Sequence, residues 1–286
     1  MRPEGRLPNF LVIGAMKAGS TSLYNYLREH PQVFMTSYKE PEFFVAEKNW
    51  DRGVRWYESL FSDAGEALAV GEASTSYTKF TEYPGVPQRI ASVIPDARLI
   101  YILRNPVDRI RSMYEHMVIT GREGRPIDEA VLGDDIYIGP SLYAENIRRY
   151  LELFPREQLH VALTDDLVSD VQGSLSAVTR FLGLPAVEGY SPAARTDLKT
   201  SERRPDRRLK TMLRDTPAAY RLLESLPAPL RKGVRTLASR PPLDGRPELG
   251  VEAENRLRNR LAPDLEQLQS LLGPGFDAWG LLPAKS

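Results

Sequence analysis

The segment Gly14-Ala-Met-Lys-Ala-Gly-Ser-Thr21 carries the residue types of a phosphate-binding turn. Glycines let a backbone approach an anion closely, and N–H groups converging on a helix start gather partial positive charge at one point. Ser20 and Thr21 add hydroxyl donors, and Lys17 adds a full charge. The pattern stops one step short of the GxxxxGK[ST] loop of nucleoside triphosphatases, because the lysine stands inside the loop instead of after the second glycine. There it faces the outer side of the phosphate, near the bond to be broken. A second anion-binding pair is Arg104 and Ser112, in Arg104-Asn-Pro-Val-Asp-Arg-Ile-Arg-Ser112. A kinase or ATPase wants an Asp at such a strand end to hold Mg²⁺. Here the position is a cation whose planar fork suits a phosphate. Two anion sites, a displaced lysine and no acid at the second strand end point to a bisphosphorylated nucleotide. A small-molecule kinase or NTPase of the P-loop type is the alternative, with Glu72 as the one acid able to serve its metal.

Positioning these residues requires strands that end, and helices that begin, at the two motifs. Phe10–Ile13 reads as a buried strand closed by Gly14, and Ser20–Glu29 as a helix with Leu23, Tyr26 and Leu27 on one face. Leu68–Val70, Leu99–Leu103 and Leu159–Leu163 read as further buried strands. Val86–Ile94, Val107–Thr120, Leu142–Phe154, Ser174–Leu182 and Glu252–Leu272 show helical spacing of apolar residues. Pro106 suits a first helical turn, which places Ser112 about two turns in. Strands alternating with helices imply an α/β fold with a mainly parallel central sheet covered on both faces. After about Pro185 the strand signals stop. Ala194–Arg214 is a basic stretch, and the rest of the C-terminal region reads as helical. The expected organisation is one domain over 1–286, with a nucleotide-binding core at 1–190 and a basic loop and helical subregion at 191–286.

Composition narrows the chemistry. The 286 residues contain no cysteine, which removes disulfides, Cys–zinc sites and thiolate nucleophiles. The three histidines, His30, His116 and His160, lack metal-ligand spacing, so no metal is expected. Lys+Arg and Asp+Glu are both 38, so no general polyanion-binding surface and no nucleic-acid partner are expected. The residues Met1–Pro8 lack the apolar run of a signal peptide, and no stretch approaches the roughly 20 apolar residues of a membrane span. A cytoplasmic protein without membrane insertion is the expectation.

Taken together, the motifs resemble those of the PAPS (3′-phosphoadenylyl sulfate)-dependent sulfotransferases, in particular the branch holding heparan-sulfate and bacterial carbohydrate sulfotransferases. The likeness runs from Phe10 to about Leu184. Phe10–Thr21 resembles the family's 5′-phosphosulfate loop, Ile102–Pro106 through Ser112 its 3′-phosphate motif, and Lys39-Glu-Pro-Glu-Phe-Phe44 its catalytic segment. The resemblance implies a P-loop-like three-layer α/β/α fold and PAPS as co-substrate. It implies that Lys17 neutralises charge on the sulfuryl group and leaving phosphate. Lys17, Ala18, Gly19, Ser20 and Thr21 are implied at the 5′-phosphate, Arg104 and Ser112 at the 3′-phosphate, and Glu40 as general base. His116 resembles a substrate-site histidine of the N-sulfating members, and Ser201, Arg203 and Arg204 are implied in a loop closing over the nucleotide. Two positions depart from the family pattern: Ala73 follows Glu72 where a lysine is common, and Glu42 stands where a histidine is common. Lys39 is a candidate for the absent cation, and Glu42 for a share of the base role. The acceptor is expected to be a small molecule or glycan: a carbohydrate first, a lipid or secondary metabolite otherwise, through a hydroxyl before an amine. Trp50–Tyr57, Gly121–Gly139 and the helices after Asp206 are the expected walls of its site.

Overall fold

The computed structural model describes residues 6–185 and 247–282. Five strands form one sheet among them: β1 (Phe10–Gly14), β2 (Val33–Met35), β3 (Ala69–Ala73), β4 (Arg98–Leu103) and β5 (Leu159–Leu163). Their order is β2-β3-β1-β4-β5, and every pairing is parallel. All five residues of β1 are buried, as are Leu99 to Leu103 of β4. Strands covered on both faces have no solvated side, which is why these two read as unbroken apolar runs instead of alternating ones.

The helices of the described residues are α1 (Ser20–Glu29), α2 (Gly53–Ser59), α3 (Val86–Val93), α4 (Pro106–Ile119), α5 (Ile127–Gly133), α6 (Asp135–Ile138), α7 (Tyr143–Leu151), α8 (Thr164–Ser169), α9 (Val171–Phe181) and α10 (Val251–Leu272). Of these, α2, α5, α6 and α8, together with β2, lie beyond the sequence reading. Each spans seven residues or fewer, too short to complete a periodic pattern. The parallel sheet flanked by helices is the α/β class expected from the alternation of elements.

The order places β1 between β3 and β4. The chain leaving β1 travels toward β2, whereas the chain leaving β4 travels toward β5. Connections diverging from adjacent strands open a crevice at the strands' carboxyl ends, the usual ligand position in open α/β sheets. Both anion motifs begin at these two strand ends. Helix α10 packs from the C-terminal side against α7, α5 and α4. Its Asp264 is buried and accepts the Ala144 and Glu145 N–H groups at 3.0 and 2.9 Å, which caps α7 from another helix. Arg111 on α4 pairs with Glu254 on α10 at 2.5 Å.

No helix among the described residues is long and apolar enough to cross a membrane. Packing is close at Gly71 on β3, where a Cβ would lie 2.4–2.6 Å from the ring carbons of buried Phe10. Gly71→Ala should therefore overpack the sheet and lower the unfolding free energy by about 2 kcal/mol. Urea denaturation of both proteins measures the difference.

Candidate active site

The loop between β1 and α1 is built by assigning its carbonyls. The Ala15 N–H donates to the Ile102 carbonyl of β4 at 2.7 Å, which pulls the loop onto the neighbouring strand end. The Ala15 carbonyl accepts the Ala18 N–H at 3.1 Å. The Ala18 carbonyl accepts Thr164 Oγ1 at 2.6 Å, and the same hydroxyl reaches the Leu103 carbonyl at 2.8 Å. Arg104 Nη1 donates to the Lys17 carbonyl at 3.2 Å. Gly19, the N-cap of α1, has φ 95°, a left-handed conformation open to glycine at little cost. Lys17 adopts φ 71° without that freedom. No side chain caps α1, and the first N–H groups of any helix lack intrahelical acceptors. The loop and the helix start thus form a cradle suited to an anion.

The structure distributes the expected loop residues unevenly. Lys17 and Thr21 are half-buried, Ser20 is buried, and Ala18 is fully buried with its N–H and carbonyl both used inside the protein. Ala18 therefore shapes the turn. Thr164, the first residue of α8, was not singled out from sequence. Its only signal there was its place directly after a strand.

Arg104 stands between β4 and α4. Asn105 caps α4 through its side chain, accepting the Val107 and Asp108 N–H groups at 3.0 and 3.3 Å. The Arg104 carbonyl accepts the Tyr143 hydroxyl at 2.8 Å. Arg104 is thus held at its backbone by α7 and at its guanidinium by the anion loop. It forms no ion pair with a carboxylate among the described residues. Ser112 is buried on α4, roughly 9 Å along the axis from Pro106 at 1.5 Å per residue. His116 follows one turn later, half-buried. Ser201, Arg203 and Arg204 lie outside the described residues, as do the helices expected between Asp206 and Arg240.

The segment from Lys39 to Phe44 is fastened to the end of β3. The Glu40 N–H donates to the Ala73 carbonyl at 3.1 Å, and the Glu42 N–H to Ser74 Oγ at 3.0 Å. Glu40 and Glu42 take φ 57° and 49° on either side of Pro41, left-handed values uncommon outside glycine. Such strain concentrates at functional sites and persists only where the surroundings enforce it. Phe43 and Phe44 are fully buried, Phe43 stacking on Tyr57 with ring centroids 4.3 Å apart and planes 11° apart. Glu40 Oε1 accepts from Lys39 Nζ at 2.9 Å and from Thr75 Oγ1 at 3.4 Å. Lys39 therefore lies at the carboxylate expected to act as base. The Glu42 carboxylate is engaged by both Lys48 and Ser76, so it closes a local network.

Beneath these two acids lies Glu72, fully buried on β3. Tyr77 and Tyr57 donate to its Oε1 at 2.6 and 3.3 Å, and Ser74 to its Oε2 at 2.8 Å. With both oxygens engaged and no exposure, Glu72 is not presented to a metal–phosphate complex, the role the kinase alternative needs from it. Ser74 is shared: it donates to Glu72 and accepts the Glu42 N–H. Burial pushes the Glu72 carboxyl up to about 7, the hydroxyl hydrogen bonds oppose this, and the nearby charge of Glu40 adds to it.

Residues 7–204 match the sulfotransferase domain family. The chain belongs to this family. A sulfotransferase from Alicyclobacillus acidocaldarius superposes with a TM-score of 0.68 at 26% identity, over 96% of this chain and 99% of that one. The mouse bifunctional heparan sulfate N-deacetylase/N-sulfotransferase 4 is 32% identical over 213 residues, 67% of this sulfotransferase and 24% of that protein. The human heparan sulfate glucosamine 3-O-sulfotransferase 6 is 33% identical over 194 residues, 64% of this chain and 54% of its own length. The sulfotransferase thus spans between about a quarter and about half of these curated relatives.

Because the folded state raises the Glu72 pKa from 4.5 to about 7, it binds that proton more tightly than the unfolded chain. The Glu72 contribution to stability is complete below pH 4.5 and is lost as pH rises through 7, a change on the order of 3 kcal/mol. Glu72→Gln should flatten this pH dependence. Denaturant titrations at pH 5, 6, 7 and 8 test it, and an unchanged slope would assign the effect to another group.

Proposed function

We propose that this sulfotransferase moves the sulfuryl group of 3′-phosphoadenylyl sulfate to a carbohydrate hydroxyl, releasing adenosine 3′,5′-bisphosphate. The observation that carries the reading is Arg104, a guanidinium with no carboxylate partner among the described residues, set between an uncapped anion loop and α4 at the sheet's switch point. The two anion positions fit the two phosphate ends of one adenosine: the loop with Ser20 and Thr21 at the 5′ end, Arg104 and Ser112 at the 3′ end. Lys17 would sit beside the 5′-phosphosulfate.

In the step itself, the acceptor oxygen forms a bond to sulfur while the bond from sulfur to the 5′-phosphate oxygen breaks. The electron pair leaves on that phosphate, where Lys17 and the loop N–H groups stabilise it. The acceptor proton passes to the Glu40 carboxylate, which Lys39 pairs at 2.9 Å. General-base assistance of this kind is worth ~10²–10⁴ in rate.

A carbohydrate acceptor is favoured by the heparan sulfate relatives and by the surface beside Glu40. Tyr38 is 52% exposed two residues before the base, with Trp56 edge-on at 6.4 Å and Arg52 4.0 Å over the Trp56 ring. An exposed aromatic residue with one guanidinium on the neighbouring ring suits a pyranose carrying an acidic group. A hydroxyl loses its proton only as it attacks, and Glu40 is placed to take it.

Lys17→Ala and Glu40→Gln should each lower kcat by at least about 100-fold while adenosine 3′,5′-bisphosphate still raises Tm. Arg104→Ala should abolish most of that Tm shift, and the wild-type shift should need no Mg²⁺. Radiolabelled PAPS assays and thermal unfolding measure these outcomes, and near-normal turnover by Glu40→Gln would remove it as base. Tyr38→Ala should raise KM for a uronic-acid-containing oligosaccharide about tenfold with KM for PAPS unchanged, read from initial rates.

A further inference from the structure

Arg109 is fully buried on α4, one turn before Ser112. Its Nε donates to Ser141 Oγ and its Nη2 to the Tyr137 carbonyl. Both acceptors are neutral. Nη1 is buried and has no hydrogen-bond acceptor among the described residues. No described carboxylate forms an ion pair with this guanidinium. Burial holds the Arg109 pKa down, the neighbouring Tyr143 and Tyr101 hydroxyls oppose this, and the like charge of Arg104 adds to it. A guanidinium nevertheless remains protonated. Burying one cation without a counter-ion, beside a second cation, is costly unless an anion completes the set.

We propose that Arg109 makes the nucleotide site selective for a 3′-phosphate. The inference rests on the nucleotide reading given above and concerns a residue that acts through others. Arg109 ties the 137–141 segment to α4. Two residues on, Tyr143 begins α7 and donates its hydroxyl to the Arg104 carbonyl. This chain of contacts aims Arg104 from behind. The buried charge lies on the same face of α4 as Ser112, three residues apart, so a phosphate gripped by Arg104 and Ser112 supplies the compensating negative charge. The 5′-phosphate cradle is built from a different loop and shares one bond with these supports, Arg104 Nη1 to the Lys17 carbonyl; the carbonyls of Ala15, Ala18 and Gly19 are held by the Ala18 N–H, by Thr164 and by the first turn of α1. A residue that merely pinned α4 would instead weaken binding of every nucleotide alike, or only lower stability.

The experiment is isothermal titration of the full chain with adenosine 3′,5′-bisphosphate and with adenosine 5′-phosphate. The ratio of the two dissociation constants isolates the 3′-phosphate. Wild type should favour the bisphosphate by at least about 100-fold, the scale of two charge-assisted contacts. Arg109→Gln should cut that ratio by about tenfold or more and leave 5′-phosphate affinity within about twofold. Ser141→Ala keeps the charge and removes one anchor, and should lower the ratio about threefold. A wild-type protein that does not distinguish the ligands overturns the nucleotide reading and this inference with it. A wild-type ratio retained in Arg109→Gln, or an equal loss for both ligands, overturns this inference alone. If Arg109→Gln does not fold, an unchanged ratio in Ser141→Ala overturns it.

Discussion

A backbone that turns its N–H groups toward one point must dispose of its carbonyls elsewhere, and the sulfotransferase is organised around that constraint. Between β1 and α1 the carbonyls of Ala15, Lys17, Ala18 and Gly19 are taken by the Ala18 N–H, by Arg104, by Thr164 and by the first turn of α1. None of those acceptors is left to repel an anion. The donors come from three directions: the loop itself, the end of β4 and the start of α8. Since β1 lies between β3 and β4, only a parallel order with its switch point at β1 brings them together. The fold thus supplies what a flexible glycine loop lacks, a single fixed orientation of its N–H groups.

The segment from Lys39 to Phe44 depends on a related arrangement at β3. Glu40 and Glu42 occupy strained backbone conformations and are held there by N–H bonds to Ala73 and Ser74. Ser74 is in turn fixed by Glu72, and Glu72 by two buried tyrosines. A carboxyl raised to about 7 at the bottom of this stack exchanges stability for geometry. It is the kind of local conflict that persists in natural proteins mainly where function requires it. The position after Glu72 carries no cation here. Lys39 and Lys48 instead approach the two acids from the segment's own flanks.

Support for Arg104 reaches as far as helix α10. Asp264 of α10 caps α7, Tyr143 of α7 holds the Arg104 carbonyl, and Arg104 holds the Lys17 carbonyl. Helices α10 and α7, Arg104 and the loop after β1 thereby form one chain of contacts. The C-terminal helix is accordingly part of the scaffold of the site.

The sequence by itself determined the features whose causes are local. An apolar run ending in glycine, a hydroxyl pair at a helix start and Pro106 opening a helix each act within a few residues. They made β1, α1, β4, α4 and both anion motifs legible, and with them the α/β class. Tertiary structure alone decided which residues hold those motifs in place. Thr164 meets Ala18 across 146 positions, Asp264 meets Ala144 across 120, and Tyr143 meets Arg104 across 39. A threonine, an aspartate and a tyrosine have no periodicity that announces such partners, because a hydrogen bond is specified by spatial proximity and direction. Glu72 shows the same limit: its sequence neighbours place it at a strand end, but only the packing of Tyr57 and Tyr77 around it makes it a buried hub.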